Sequence, residues 1–237
     1  MGQNCPAWGC GDRHEFMDFV SARAEQKKPC GSGCFGGERV KIAVIFPGIG
    51  YHTDKPLLYY GKKLAKNLGY EIREVPYKKF KSGIKGDAAK MREAFDSALA
   101  QAEEMLADVK WKKAEEIVFI SKSIGTVVAA AYAARHKLTV RHVYYTPLAE
   151  TFSLAAEGNG IAFHGTADPW ATDEDVEAGC RTKRIPLVVI PDANHSLETG
   201  DVATDLENLQ KVMAETERWL RETSGKSTTH HLKVMGL

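Results

Sequence analysis

Ser123, Asp168 and His195 are the residues whose types and placement fit a nucleophile, a carboxylate and a general base. Ser123 lies in Ser121-Lys122-Ser123-Ile124-Gly125, where the apolar strand-like run Ile117-Val118-Phe119-Ile120 gives way to the helix-like run Thr126-Val127-Val128-Ala129-Ala130-Ala131. A strand that stops as a helix starts makes a sharp turn, and that turn pushes one side chain out at the strand's carboxyl end. The crowding there asks for small flanking residues, which Gly125 and Ser121 supply. Asp168 lies in His164-Gly165-Thr166-Ala167-Asp168-Pro169, just after Ile161-Ala162-Phe163. His195 lies in Asp192-Ala193-Asn194-His195-Ser196, just after Leu187-Val188-Val189-Ile190. Each residue follows a short strand candidate, so all three are expected at one edge of a sheet. A hydroxyl, an imidazole and a carboxylate meeting there can activate the hydroxyl as a nucleophile.

The chain order Ser, Asp, His is that of the α/β-hydrolases. Residues 40–220 resemble a small member of that superfamily, similar to its lid-less dienelactone-hydrolase-like branch. That branch often uses Cys as nucleophile, so Ser123 directs the likeness to its esterase-like relatives. The resemblance implies Ser123 as nucleophile, His195 as base and Asp168 as the acid that orients it. It also implies an oxyanion hole from the backbone N–H groups of Ile49 and Ile124. Ile49 lies in Pro47-Gly48-Ile49-Gly50, after the first core strand Ile42-Ala43-Val44-Ile45-Phe46. Two positions depart from the usual pattern: Ser121 stands for the first Gly of Gly-x-Ser-x-Gly, and Pro47 stands where His is common.

Rival assignments are weaker on the residues themselves. Asp192 shares a loop with His195 and suits a turn cap. His142 and His164 fall in or beside strands and read as packing residues. Gly48-Ile49-Gly50 lacks the third glycine of a dinucleotide fingerprint, Thr53 standing in its place, and no Gly-Lys-Ser/Thr phosphate loop is present.

The elements that must position these residues alternate. Helix 56–68 starts on Pro56 and stops at Gly69, and strand 70–75 follows. Helix 88–106 has Met91, Phe95, Leu99, Ala102 and Leu106 at helical spacing. Strands 140–145, 161–163 and 187–190 come next, then helix 202–220, expected to bury Val202, Leu206, Leu209, Met213 and Leu220. Such alternation predicts an α/β fold, a mostly parallel sheet with helices on both faces. The link 146–160 holds only a short helix, so no lid is expected and the site should be open, suiting small or protruding acyl groups. Tyr51, His52, Leu148 and Trp170 fall in loops expected to border the site, and a substrate role and plain surface packing are equal readings of them.

The 237 residues suffice for one such domain, residues 39–223, with a tail at 224–237. A net charge of +1 makes no case for nucleic acid or an anionic membrane, and Lys78-Lys79-Phe80-Lys81 with Lys85 reads as a solvated loop. No apolar run approaches the ~20 residues that span a bilayer. Without a basic-then-apolar leader, a cytoplasmic location is expected. Residues 1–38 form a Cys-rich extension holding Cys5, Cys10, Cys30 and Cys34, with His14 near Cys10. Structural zinc is one reading of those pairs, and free thiols or an adventitious disulfide are the other. Cys180 reads as a packed residue. The function expected is hydrolysis of a small-molecule carboxylic ester without a catalytic cofactor. A thioesterase or acyl-peptidase is the near alternative, and a non-catalytic interaction protein is the alternative of another class.

Overall fold

β1 (Val40–Phe46) buries both of its faces, which requires a layer of helices on each side. The structure is a computed structural model that describes residues 40–78, 80, 84 and 88–222. In chain order the further elements are α1 (Pro56–Asn67), β2 (Glu71–Glu74), α2 (Ala88–Met105), β3 (Ala114–Lys122), α3 (Ile124–Arg135), β4 (Arg141–Tyr145), α4 (Ala149–Leu154), β5 (Gly160–Gly165), α5 (Asp173–Thr182), β6 (Leu187–Ile190) and α6 (Val202–Arg221). Among the described residues the strands form one six-stranded sheet in the order β2-β1-β3-β4-β5-β6, with every pairing parallel.

The period of two along each strand sorts side chains between the layers. Ala43 and Ile45 of β1, with Val118 and Ile120 of β3, pack against Leu57 and Leu58 of α1 and Val212 and Leu220 of α6. Ile42, Val44 and Phe46, with Ile117 and Phe119, pack against Ala98 and Leu99 of α2 and Val128 and Tyr132 of α3. The chain winds one way from β1 to β2 and the other way from β3 onward. The carboxyl ends of β1 and β3 therefore flank a reversal of winding, the place where open α/β sheets form a ligand crevice.

Arg141 ties the last helix to the sheet. Its guanidinium donates to Glu116 Oε1 at 2.7 Å and to the carbonyls of Trp219 and Leu220, and it lies over the Trp219 ring. Burial pulls the Glu116 carboxyl upward, yet Arg141, Tyr70 and Lys41 outweigh burial and hold it below the usual carboxylate range.

Helix α6 differs from expectation at its start. Val202 and Leu206 are 72% and 62% exposed, and its buried residues are Val212, Thr216 and Leu220. Asp201 caps Thr204 N and the first turn stands in solvent, so the buried stripe begins at Val212, nearly three turns after Val202. The link between β4 and β5 holds only α4, as expected of a chain without a lid there. Among the described residues no helix is long and apolar enough to cross a membrane, and no cluster of His, Cys, Asp and Glu could hold a metal ion. Cys5, Cys10, His14, Cys30, Cys34, Lys79, Lys81 and Lys85 lie outside the described residues, so the zinc reading does too. Cys180 is a buried free thiol, pushed up to about 12 by its burial.

Candidate active site

The turn from β3 into α3 puts Ser123 in a conformation that non-glycine residues rarely adopt, with φ 56° and ψ −128°. Such backbone costs of order 1–3 kcal/mol and persists only where the surroundings enforce it. Here they do. Ser123 N donates to Tyr145 O at 3.1 Å, and its carbonyl accepts from the Thr126 amide at 2.8 Å and the Thr126 hydroxyl at 2.6 Å. Gly125 is obligatory because a Cβ there would stand 2.4 Å from the carbonyl oxygens of Phe46 and Pro47. Ser121, the departure from the usual glycine, is fully buried, and its hydroxyl donates to Val143 O at 3.1 Å, so the extra polar atom is satisfied.

His195 meets this serine from the loop after β6. Its Nε2 lies 2.7 Å from Ser123 Oγ, and its Nδ1 lies 2.7 Å from Asp168 Oδ2. A carboxylate only accepts, so Nδ1 carries the proton and Nε2 accepts from the serine hydroxyl. The Asp168 side chain is fully buried in the loop after β5, and its second oxygen accepts from Trp170 N at 2.8 Å. The two loops are held together closely: a Cβ on Gly165 would fall 2.2 Å from Ala193 O, and Ala167 N donates to that same carbonyl. Asn194 Oδ1 accepts from Ser196 N at 2.7 Å and shapes the loop around His195. Burial lowers the affinity of His195 for a proton. Asp168 opposes that and Lys122 adds to it, with a net shift below the ordinary imidazole value.

The loop after β1 closes the third side. Gly48 and Tyr51 exchange two backbone hydrogen bonds, leaving Ile49 and Gly50 at the tip, with Gly50 at φ 75°. Gly48 packs so near Ser123 that a Cβ on it would lie 3.2 Å from Ser123 Cβ. Ile124 is the first residue of α3, so its N–H is one of the donors an α-helix leaves unpaired at its start.

Of the bordering residues, Tyr51 packs into the core. It is buried, its hydroxyl accepts from Leu57 N at 3.1 Å, and its ring is covered by the Lys122 ammonium at 4.9 Å. His52 is exposed. Trp170 is exposed, its ring 5.6 Å from the His195 ring. Leu148 is buried and lines a largely apolar groove of about 630 Å³ between α2, α3 and α4, with Arg92, Asp96, Arg135 and Glu150 also in its lining. Phe95 and Leu99 of α2 and Val127 and Ala131 of α3 line that groove, and Ile124, next to Ser123, lines it beside Leu148.

No family model matches the chain, and no curated protein sequence matches it. Solved structures do match. An α/β serine hydrolase homologue from Coxiella burnetii superposes with a TM-score of 0.55 at 17% identity, over 78% of this chain and 86% of the other. A serine hydrolase without a lid from Xanthomonas campestris gives 0.52 at 13% identity, over 78% and 86%. Est1E from Butyrivibrio proteoclasticus with ferulic acid bound gives 0.57 at 12% identity, over 77% and 88%. The chain has the α/β-hydrolase fold. Within that fold the elbow of Ser123 and the loops of Asp168 and His195 lie at the carboxyl ends of β3, β5 and β6.

Two neighbours of the three were not apparent in the sequence. His164, read there as packing, sits behind Asp168, with Nδ1 4.0 Å from Asp168 Oδ2 and Nε2 2.8 Å from Asp173 Oδ1. Lys122, one residue before Ser123, is only 2% exposed. A charged residue two places after the apolar run 117–120, in phase with its core-facing members, was the available signal for it. His142 is packed as expected, stacked on Tyr144.

Proposed function

We propose that this protein is a serine hydrolase that cleaves a carboxylic ester through an acyl-enzyme. The observation that carries the reading is the unbroken chain from Ser123 Oγ to His195 to Asp168, with 2.7 Å at each link. Ser123 attacks the ester carbonyl while His195 Nε2 takes its proton. His195 then returns that proton to the departing alkoxide. Asp168 holds the imidazole in the tautomer that accepts at Nε2 and stabilises the imidazolium without taking the proton itself. The N–H groups of Ile49 and Ile124 bind the oxygen that becomes negative, and losing one such donor typically costs about 3–4 kcal/mol in the transition state. Water, deprotonated by His195, attacks the acyl-enzyme and releases the acid.

The acyl chain is assigned to the groove beginning at Ile124 and Leu148. From Ile124 to Arg135 that groove follows α3 for roughly 16 Å at 1.5 Å per residue, enough for a medium-length chain. The absence of a lid argues for small or protruding acyl groups, and the groove argues for a longer one. Trp170, beside His195, is assigned to the alcohol side, and exposed His52 to the rim. The ferulic acid bound to Est1E agrees with a carboxylic acid as product.

Hydrolysis of p-nitrophenyl esters of increasing acyl length, wild type beside Ser123→Ala, tests the reading. Turnover in wild type and its loss in a folded Ser123→Ala variant is expected. Equal turnover in both would reject the nucleophile. Activity on acyl thioesters or acyl peptides alone would transfer the same machinery to those substrates. No turnover and no fluorophosphonate labelling of Ser123 would favour a non-catalytic interaction protein.

A further inference from the structure

β3 presents Val118 and Ile120 to the α1/α6 layer, and the same alternation sends Lys122 there too. A lysine in such a place is costly, because burial strips its ammonium of water. Its stem passes beneath the turn after β1, where Cδ would lie 3.4 Å from a Cβ on Gly48. Its Nζ ends 4.9 Å from the centre of the Tyr51 ring, a cation–π contact under that same turn. A Cβ on Gly48 would also lie 3.2 Å from Ser123 Cβ, so both anchors hold the charge beside the Ser123 turn, where it repels a proton on His195.

We propose that Lys122 is a positioning residue for the hydrolytic site: its buried positive charge, held by Tyr51 and the Gly48 turn, keeps His195 in the uncharged form that a general base requires. The inference rests on the hydrolase reading for its purpose, though not for the electrostatic coupling itself. In the resting state Asp168 is a buried negative charge beside a neutral imidazole. That arrangement favours drawing a second proton onto His195, which would occupy Nε2 and prevent it from accepting from Ser123. A cation nearby offsets the carboxylate and opposes that second proton.

The groups facing this charge come from several elements. Asp168, after β5, and Glu198, after β6, attract it, and they oppose the burial that lowers Lys122 to about 7. His195, after β6, is repelled by it, and His164 of β5 acts on His195 in the same sense. Tyr51, after β1, stays neutral, its phenol pushed up to about 12 chiefly by burial. The Lys122 charge is therefore present on the acid side, where protonation of His195 is the threat. It fades as pH rises past neutrality, where His195 needs no help.

The test follows His195 directly by imidazole NMR titration of the full, ligand-free chain, alongside kcat/KM against pH for p-nitrophenyl acetate. In wild type the acid limb should fall below pH 6.5, the ordinary imidazole value. Lys122→Met, which keeps the aliphatic stem, and Lys122→Gln, which keeps a polar end, should both raise the His195 midpoint by about half a pH unit or more. The acid limb of the rate should rise with it. Lys122→Arg should restore the wild-type midpoint, a rescue that a packing role alone does not predict. An unchanged His195 midpoint in either folded neutral variant overturns the proposal. A midpoint that moves in a protein without esterase activity upholds the coupling and rejects the hydrolase reading. An active enzyme whose midpoint and limb stay fixed does the reverse.

Discussion

Which carboxylate serves His195 is decided by burial and distance at single residues. Asp168 is enclosed and 2.7 Å from Nδ1, whereas Asp192 is exposed, at φ 55°, with its amide donating to Thr166 Oγ1 at 2.8 Å. Asp168→Asn should therefore leave the fold intact and lower kcat by roughly 10⁴, because an amide that donates to Nδ1 selects the wrong imidazole tautomer. Asp192→Asn should leave turnover near wild type, since asparagine tolerates the same turn. Steady-state kinetics on one activated ester checks both, and a large loss in Asp192→Asn alone would reverse the assignment. The two residue-level departures from the usual pattern also resolve differently. Ser121 fits because its hydroxyl finds Val143 O. Pro47 is tolerated because the turn beyond it is closed by Gly48 and Tyr51 backbone groups, which need no side chain at Pro47.

At the scale of elements, α3 links the elbow to the groove. Ile124, Val127 and Ala131 recur at spacings of three and four on one helix face, so the residue after Ser123 and the groove lining are a single stripe. Ala131→Phe should fill the groove about two turns beyond Ile124. The expected result is a fall of about tenfold or more in the octanoate-to-acetate ratio of kcat/KM, the scale that apolar pocket contacts support. An unchanged ratio would place the acyl chain elsewhere. The strands and most helices were legible in the sequence because their signal is local: apolar runs, Pro56 and Gly69 as punctuation, and helical spacing in α2. Loop positions after strands were equally legible, which is why Ser123, Asp168 and His195 could be read together. What escaped depends on contacts distant in sequence. Tyr51 looks like a loop tyrosine until Leu57 and Lys122 are seen to enclose it. Val202 and Leu206 have the right spacing for burial, yet the start of α6 leaves them in solvent. His164 shows its place behind Asp168 only when the loop after β5 is folded back.

Across the whole molecule, the sheet interior carries a titration that the active site does not use. His142 is fully enclosed on β4, stacked on Tyr144 at 4.8 Å and edge-on to Phe119 at 5.6 Å, and burial drives it down from 6.5 to about 3. Above pH 6.5 the imidazole is neutral in both the folded and the unfolded chain, so no penalty arises. Between pH 6.5 and about 3 the unfolded chain binds a proton that the folded chain refuses, so stability falls as pH falls. Each pH unit within that window costs about 1.4 kcal/mol for one such proton. His195, also shifted downward by burial, contributes in the same direction. Glu116 joins only at lower pH, once an unfolded carboxylate begins to protonate. The interval from pH 6.5 down to roughly 4.5 therefore isolates the histidines from the carboxylates. His142→Phe keeps a flat ring against Tyr144 and removes the buried nitrogen Nδ1, which has no hydrogen-bond partner. Urea unfolding at intervals through that range should show wild-type stability falling with acid and the variant falling less steeply, by close to one proton's worth of slope. Parallel curves for the two proteins would mean that His142 takes up its proton in the folded chain as readily as in the unfolded one.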